Sequence, residues 1–333
     1  MMANSNLLKN PDKIVDLFDK LYTQVTDRNK FLTKIRFYSL QRFSIRVIAN
    51  LLIPLYFNLI KNNKEAKLPN KSSHSPKLIV SLTTFPARVK RVWIVIESIL
   101  RQTHKPDMII LWLSKEYFKS MDDVPRKLRN LEKRGLKIRF VDDDIRAHKK
   151  YFYSLCEYPD DYIITLDDDI IYPTFIISKL VENSDKYPKS IICHRASKIT
   201  SENMIIQPYI NWIACNEEDG PSFDLFVTTG GGTLIPPHSF HSDVLNKELI
   251  KKLSFHSDDM WLNCMARLKN TSTVKTSYSS ACLPIIYINN SQLLTINVHN
   301  GQNDQQLNAI RAYYTANLGI DPYWKVFANN NEL

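Results

Sequence analysis

Short apolar runs alternate with segments of helical period over most of the chain after residue 77. Four runs have the length and apolar content of buried strands, at residues 78–82, 108–113, 136–141 and 162–166. Between the first two runs, residues 89–102 carry apolar side chains at helical spacing. Strands that alternate with helices predict an α/β fold, in which a mainly parallel sheet has helices on both faces.

Residues 31–60 show a different pattern, in which cations are interleaved with apolar positions. Four cations fall on one broad side of the predicted helix and apolar residues fill the rest: Lys30, Lys34, Arg42 and Arg46. The most apolar part, residues 47–60, is too short to span a bilayer. Two interpretations stay open. Either this helix lies on an anionic membrane surface, or it packs on the rest of the protein with a solvated basic face.

Composition indicates a domain boundary near residue 76. The polar segment 61–76 contains two prolines and is typical of a linker. We therefore divide the chain into a helical, basic arm with its linker, residues 1–76, and a larger domain, residues 77–333. Residues 28–71 contain ten basic residues and one acid, Glu65, so they carry nearly all of the net charge of +10.

This concentration of charge argues against a nucleic-acid partner, since the larger domain has neither a basic excess nor a nucleic-acid-binding motif. The five cysteines show no CxxC spacing, and the polar N-terminus shows no secretion signal. We therefore expect a cytoplasmic protein. It would be peripheral on the inner membrane face if the arm binds lipid.

Three consecutive aspartates follow the fourth apolar run, at Asp167, Asp168 and Asp169. Adjacent carboxylates repel one another unless a cation lies between them. The first and third point to the same side of an extended chain, so both can face one ion. Oxygen ligands suit Mg²⁺ or Mn²⁺. The alternative is a solvated acidic turn in which one aspartate caps the next helix, predicted at residues 174–182 behind Pro173.

The runs 162–173 and 80–88 together resemble the GT-A glycosyltransferases, especially bacterial enzymes of surface-polysaccharide synthesis. In that family, a DxD motif ends a central strand and holds a divalent cation against the donor diphosphate. The resemblance covers roughly residues 77–299 and leaves the arm outside. It implies a Rossmann-like, mixed, mainly parallel sheet. It also implies metal-dependent transfer of a sugar from a nucleotide-sugar donor, by default a UDP-sugar, to a saccharide or lipid-linked saccharide.

The resemblance also assigns roles by position. Asp167 and Asp169 would hold the metal together with His299, although a lone histidine is more often structural. The donor would lie against the following residues: Thr83, Thr84, Arg88, Asp142, Asp144, Lys149, Lys150, Asp167, Asp168, Gly231 and Gly232. The lysine pair has a second interpretation as a solvated surface. The glycines, which belong to a run of three in a glycine-poor chain, have a second interpretation as a tight turn.

A second acidic pair, Asp258 and Asp259, begins a predicted helix. It resembles the acceptor-side motif of the same family. Transfer onto an alcohol needs a carboxylate within reach of the hydroxyl. We therefore expect Asp259 to act as the base of an inverting reaction, with Asp258 orienting the acceptor. The alternative is that both residues only cap the helix.

Two further functions stay open. A sugar-nucleotidyltransferase also needs acidic metal ligands on an α/β sheet. It would normally have a glycine-rich loop after the first strand, and residues 83–88 contain no glycine. An inactive transferase-like scaffold at the membrane would not need to keep both acidic motifs and His299.

Overall fold

The computed structural model describes residues 13–26, 29–60, 68, 76–279, 281–287 and 301–328. Their helices are α1 (Lys13–Gln24), α2 (Lys30–Lys34), α3 (Phe37–Leu59), α4 (Pro86–Val89), α5 (Val92–Leu100), α6 (Arg126–Arg129), α7 (Lys149–Glu157), α8 (Ile176–Lys186), α9 (Lys247–Leu253), α10 (Asp258–Leu268), α11 (Gln302–Leu318) and α12 (Trp324–Ala328). Their strands are β1 (Leu78–Thr83), β2 (Met108–Ser114), β3 (Leu136–Val141), β4 (Tyr162–Thr165), β5 (Ile191–Cys193), β6 (Ala196–Lys198), β7 (Ser201–Glu202), β8 (Ile205–Ile206), β9 (Ile213–Ala214), β10 (Asp219–Ser222), β11 (Leu225–Val227), β12 (Thr233–Ile235) and β13 (Thr273–Lys275).

An eight-stranded sheet forms the centre of the molecule, in the order β10-β13-β5-β12-β4-β1-β2-β3. The four predicted strands are β1 to β4, and they form one parallel block. Apolar residues of β1, β2 and β4 are fully buried, as expected for strands that are covered on both faces. The predicted α/β fold, with a large, mainly parallel sheet flanked by helices, is therefore confirmed.

Strand β12 interrupts this parallel arrangement, because it runs antiparallel between β4 and β5. Its amino end therefore lies at the same sheet edge as the carboxyl ends of β1 to β4. The glycine-containing segment 229–232, directly before β12, is brought to that edge as a result. A three-stranded sheet, β11-β6-β9, and the β7-β8 pair lie outside the central sheet.

Helices α9, α10 and α11 and the C-terminal α12 contribute to a second hydrophobic cluster beside the sheet. Trp261 and Met265 of α10 are fully buried there, together with Tyr314 of α11. This packing directs the amino end of α10, with Asp258 and Asp259, to the edge where the parallel strands end.

The N-terminal helices pack on the sheet domain. Val15 of α1 and Ala49, Ile53 and Phe57 of α3 belong to the same core cluster as apolar residues of β1 and β2. The packed alternative is thus correct for one face of α3. The predicted helix over residues 31–60 is divided, since Arg36 takes a left-handed conformation (φ 59°) between α2 and α3.

Other predictions have mixed outcomes. The helix after Pro173 begins at Ile176, slightly later than expected. Of the predicted linker, only Leu68 and Pro76 lie within the described residues. Across the described ranges, no helix combines the length and the apolar character that crossing a bilayer requires.

Candidate active site

A cavity of about 560 Å³ opens at the edge where β1 to β4 end, a size typical of small-molecule sites. Ten of the predicted site residues line it: Thr83, Thr84, Arg88, Asp144, Lys149, Lys150, Asp167, Asp168, Asp258 and Asp259. Residues of both acidic motifs, which are far apart in sequence, thus line one cavity, whereas the predicted metal ligand Asp169 is not among its lining residues. Ligands of open α/β sheets bind at this edge.

Thr84, directly after β1, and Arg88, in α4, hold the acidic triplet from one side. The Arg88 guanidinium donates to Asp168 Oδ1 at 2.7 Å and lies 2.8 Å from Asp169 Oδ2. Thr84 Oγ1 donates to Asp168 Oδ2 at 2.6 Å. Asp168 is buried, so these bonds replace the water that the carboxylate loses.

Lys150, in the first turn of α7, joins the two acidic motifs. Its ammonium lies 2.8 Å from Asp167 Oδ1 and 2.9 Å from Asp258 Oδ2. Although burial favours the neutral amine, the adjoining Asp167 and Asp258 carboxylates raise the pKa of Lys150. The same ion pair lowers the pKa of Asp258, against the effect of burial.

Thr229, which precedes β12, holds the second acidic motif. Its backbone N–H donates to Asp259 Oδ1 at 2.9 Å, and its hydroxyl donates to the same oxygen at 2.6 Å. The N-cap of α10 is Ser257, whose side chain accepts from the Met260 N–H. The suggestion that Asp258 caps this helix is therefore wrong, and its carboxylate is instead paired with Lys150.

Gly230 allows the β12 loop to approach the acidic triplet closely. A Cβ atom at this position would lie 1.8 Å from Asp167 Oδ2, so any side chain would displace that carboxylate. Tyr172 holds the two segments together, because its hydroxyl accepts from the Asp167 N–H and donates to the Gly230 carbonyl oxygen.

The remaining predicted donor residues divide between the cavity wall and the surface. Lys149 is buried in the wall and forms an ion pair with Asp144. Asp142 has a largely exposed side chain that pairs with Lys115. Asp142, Gly231 and Gly232 are not among the residues that line the cavity.

Two half-buried carboxylates of this edge, those of Asp169 and Asp259, have raised pKa values, because the nearby cations do not fully offset burial and the repulsion from neighbouring carboxylates. Burial and the neighbouring Asp167 raise the pKa of Asp169 to about 7. Burial and the neighbouring Asp258 raise the pKa of Asp259 to about 7. Five aspartates share this edge with the cations Arg88 and Lys150, so a further positive charge here would stabilise the ionised carboxylates.

Asp167 and Asp169 offer carboxylate oxygens, which are the type of ligand that Mg²⁺ and Mn²⁺ prefer. Within the described ranges, no three His, Cys, Asp or Glu side chains meet as a metal-binding group, and the predicted ligand His299 lies outside those ranges. The Asp167 and Asp169 side chains are 38% and 29% exposed, respectively. Mg²⁺ is usually held by one or two carboxylates, with substrate phosphates and water completing its shell.

Several lining residues were missed by sequence reasoning. They come from the loops after β2 and β3, from the β12 loop and from the turn before α10: Glu116, Tyr117, Arg146, Thr229, Gly230, Phe255 and His256. Glu116 and Tyr117 follow a predicted strand directly, so the rule that ligands bind at strand ends would have found them. The others depend on strand direction and on loop packing, which local sequence does not specify.

No protein-family model matches the chain, and no curated protein matches it. Solved structures with partial similarity include a 4-diphosphocytidyl-2C-methyl-D-erythritol synthase, with a TM-score of 0.39 and 12% identity over 67% of this chain and 97% of that chain. They also include an apo UDP-glucose pyrophosphorylase, with a TM-score of 0.35 and 10% identity over 73% of this chain and 99% of that chain. Similarity at this level carries no inference about the reaction.

Proposed function

We propose that this chain is a metal-dependent glycosyltransferase, which moves a sugar from a nucleotide-sugar donor to a saccharide or lipid-linked saccharide. The observation that carries the proposal is the pairing of two acidic motifs across one cavity, bridged by the buried ammonium of Lys150. One motif suits a metal and diphosphate, and the other suits an acceptor hydroxyl. Together they would supply the two functions of the proposed reaction, stabilisation of the leaving diphosphate and removal of the acceptor proton.

Asp167 and Asp169 would hold the Mg²⁺ or Mn²⁺ ion, with His299 as a third protein ligand. When bound, such an ion stabilises the negative charge that develops on the leaving diphosphate. Arg88 fixes the carboxylates of Asp168 and Asp169, so the triplet is ordered before the donor arrives. Preorganised charge of this kind is usually the largest contribution to rate.

Asp259 is the proposed base. Both hydrogen bonds from Thr229 end on its Oδ1, so in this reaction the acceptor hydroxyl approaches Oδ2. The acceptor oxygen forms a bond to the sugar's anomeric carbon, the bond from that carbon to the diphosphate oxygen breaks, and the hydroxyl proton passes to Asp259. A pKa of about 7, caused by burial and Asp258, suits a group that must accept a proton at neutral pH.

The donor nucleotide would lie between the loops after β1 and β3. Thr83, Thr84 and Arg88 line the cavity on one side, and Asp144 lines it on the other. Tyr117, which lies beside Asp144, offers an aromatic surface for a base. UDP is the default nucleotide, by resemblance to the family.

Thermal stability in the presence of nucleotide and metal tests the proposal. We expect one of UDP, GDP, CDP, CMP and ADP to raise the melting temperature in the presence of Mn²⁺ or Mg²⁺, because a ligand that binds only the folded state stabilises it. Asp169→Asn should abolish the metal-dependent rise. It should also lower transfer from the matching nucleotide sugar by about 10²–10³-fold.

Asp142→Asn is the matched control, since it makes the same chemical change at an exposed carboxylate outside the cavity wall. It should keep both the melting shift and the transfer rate. If the protein releases pyrophosphate from a nucleoside triphosphate and a sugar phosphate, and transfers no sugar from any nucleotide sugar, its function is nucleotidyl transfer and not glycosyl transfer. Absence of a shift with every nucleotide and metal would favour the inactive scaffold.

A further inference from the structure

Helix α3 is apolar on two opposite faces, and only one of them packs on the protein. Ala49, Ile53 and Phe57 are fully buried and recur at helical spacing along the inner face. Half a turn away, Leu51 and Leu55 are 67% and 55% exposed. A helix that only packs on a domain would carry polar residues on its outer face.

Half of the exposed large hydrophobic side chains in the described chain lie within residues 31–59. They extend over α2, the turn after it and the outer face of α3: Phe31, Ile35, Phe37, Leu40, Phe43, Ile48, Leu51, Leu52, Leu55 and Leu59. We call this set the outer stripe. At 1.5 Å per residue, its α3 part is about 33 Å long. An exposed apolar surface of this extent, interrupted on the same face by Gln41 and Ser44, marks an interaction site.

The charge beside the outer stripe distinguishes between the partners that could bind it. No Asp or Glu occurs between Asn29 and Ile60, whereas Lys30, Lys34 and Arg36 are exposed at the amino end of the stripe. The stripe of a second copy has no carboxylate with which these cations could pair. Anionic lipid headgroups have the complementary charge and cover an apolar face at the same time.

We propose that the outer stripe binds the surface of an anionic lipid bilayer. Helix α3 lies parallel to the surface, with Leu51, Leu55 and Leu59 in the acyl boundary and the cations of α2 among the headgroups. The inner face keeps its contacts with the sheet domain, so binding needs no rearrangement of the core. The proposal rests on the exposed surface and does not depend on the reaction proposed above.

Vesicle co-sedimentation of the full chain tests it. Vesicles of phosphatidylcholine with phosphatidylglycerol should bind the protein, and pure phosphatidylcholine should bind it less. Leu51→Ser combined with Leu59→Ser should weaken binding at least tenfold, because each leucine loses most of its transfer free energy. Lys30→Gln and Lys34→Gln should each weaken it on the order of fivefold, and added salt should do the same.

The matched control replaces two equally exposed apolar residues elsewhere, Ile210→Ser with Ile213→Ser, which are 69% and 62% exposed. This control should bind vesicles as the parent protein does, and all variants should melt at similar temperatures. Equal vesicle binding by the Leu51/Leu59 variant and the parent would overturn the proposal. The proposal would also be overturned if the parent protein does not bind vesicles but forms a dimer that the same two substitutions dissociate. The stripe would then bind a second copy of the chain.

Discussion

At the scale of single residues, Lys150 neutralises part of the negative charge of the site when no ligand is bound. Its ammonium lies between Asp167 and Asp258 and is 3% exposed, so two carboxylates depend on one buried cation. Removing one partner of a buried ion pair costs far more than the pair contributes, since the remaining charges stay in a poorly solvated place.

We therefore expect Lys150→Met to lower the free energy of unfolding by about 3–5 kcal/mol, as measured by urea denaturation. The matched control is Lys179→Met, which removes an exposed ion pair with Glu182 and should change the free energy by less than about 1 kcal/mol. Similar effects of the two substitutions would contradict the central position of Lys150.

Residue type and strand position were enough to nominate the aspartates of this edge. Asp167 to Asp169 follow a strand, and Asp258 and Asp259 begin a helix; both features are local. The bond partners could not be predicted in the same way. Sequence reasoning places Lys150 against the donor, but it does not reveal that α7 turns this side chain toward Asp258. Thr229 was missed because its role depends on the direction of β12.

At the scale of elements, α3 is connected to the acidic triplet through the segment 281–287. Asn50 of α3 donates to the Pro284 carbonyl oxygen and accepts from the Ile286 N–H. The same segment then contacts the triplet, because the Ile285 N–H donates to the Asp169 carbonyl oxygen and the Tyr287 hydroxyl donates to that of Asp168. The buried carboxamide of Asn50 thus helps to hold the segment that contacts the proposed metal-binding loop.

Asn50→Leu should lower the free energy of unfolding by about 2–4 kcal/mol, since it leaves buried backbone groups without partners. Amide hydrogen exchange in residues 281–287, followed by mass spectrometry, should become faster than in the parent. Asn58→Leu is the control, because the side-chain amide of Asn58 donates within α3, to Pro54. Unchanged exchange in the Asn50 variant would show that the segment is held by other contacts.

Helical periodicity predicted that residues 31–60 are helical, but not which face is buried. Apolar residues occur on both sides of α3, so the pattern has no single inner face. The choice is made by tertiary contacts, with the sheet and with residues 283–287. No glycine or proline lies beside Arg36, so local sequence does not predict the division into α2 and α3.

At the scale of the whole molecule, two buried histidines tie stability to pH. His148 is hydrogen-bonded to Tyr151 and to the Ser254 carbonyl oxygen, and His194 to Thr276 and to that of Ile176. In both, burial lowers the pKa to about 4. The unfolded chain, with an ordinary histidine pKa near 6.5, therefore binds protons more tightly between these values.

The contribution of each histidine to the free energy of unfolding should accordingly be greatest above pH 6.5 and fall as the pH drops toward 4, whereas the raised pKa values of Asp169 and Asp259 act in the opposite direction. At pH 5, each histidine should cost roughly 2 kcal/mol relative to pH 7. Urea denaturation at several pH values measures the net slope, and His148→Gln should remove this histidine's part of it, so that variant and parent differ by roughly 2 kcal/mol in their change between pH 7 and pH 5. His238→Gln, at an exposed ion pair with Asp160, should leave the slope unchanged. The same slope in the His148 variant and the parent would contradict a role for that histidine.

The bond between Asn50 and Pro284 also has a consequence for biosynthesis, because 234 residues separate its two ends. At about 5–20 residues per second, a ribosome needs roughly 12–47 s to make the second partner after the first. During that interval the contacts of α3 with residues 283–287 cannot form, so its inner face is only partly covered and its outer face is exposed. The nascent helix thus exposes its largest apolar surface before the domain is complete. At that stage a chaperone or a lipid surface can bind it.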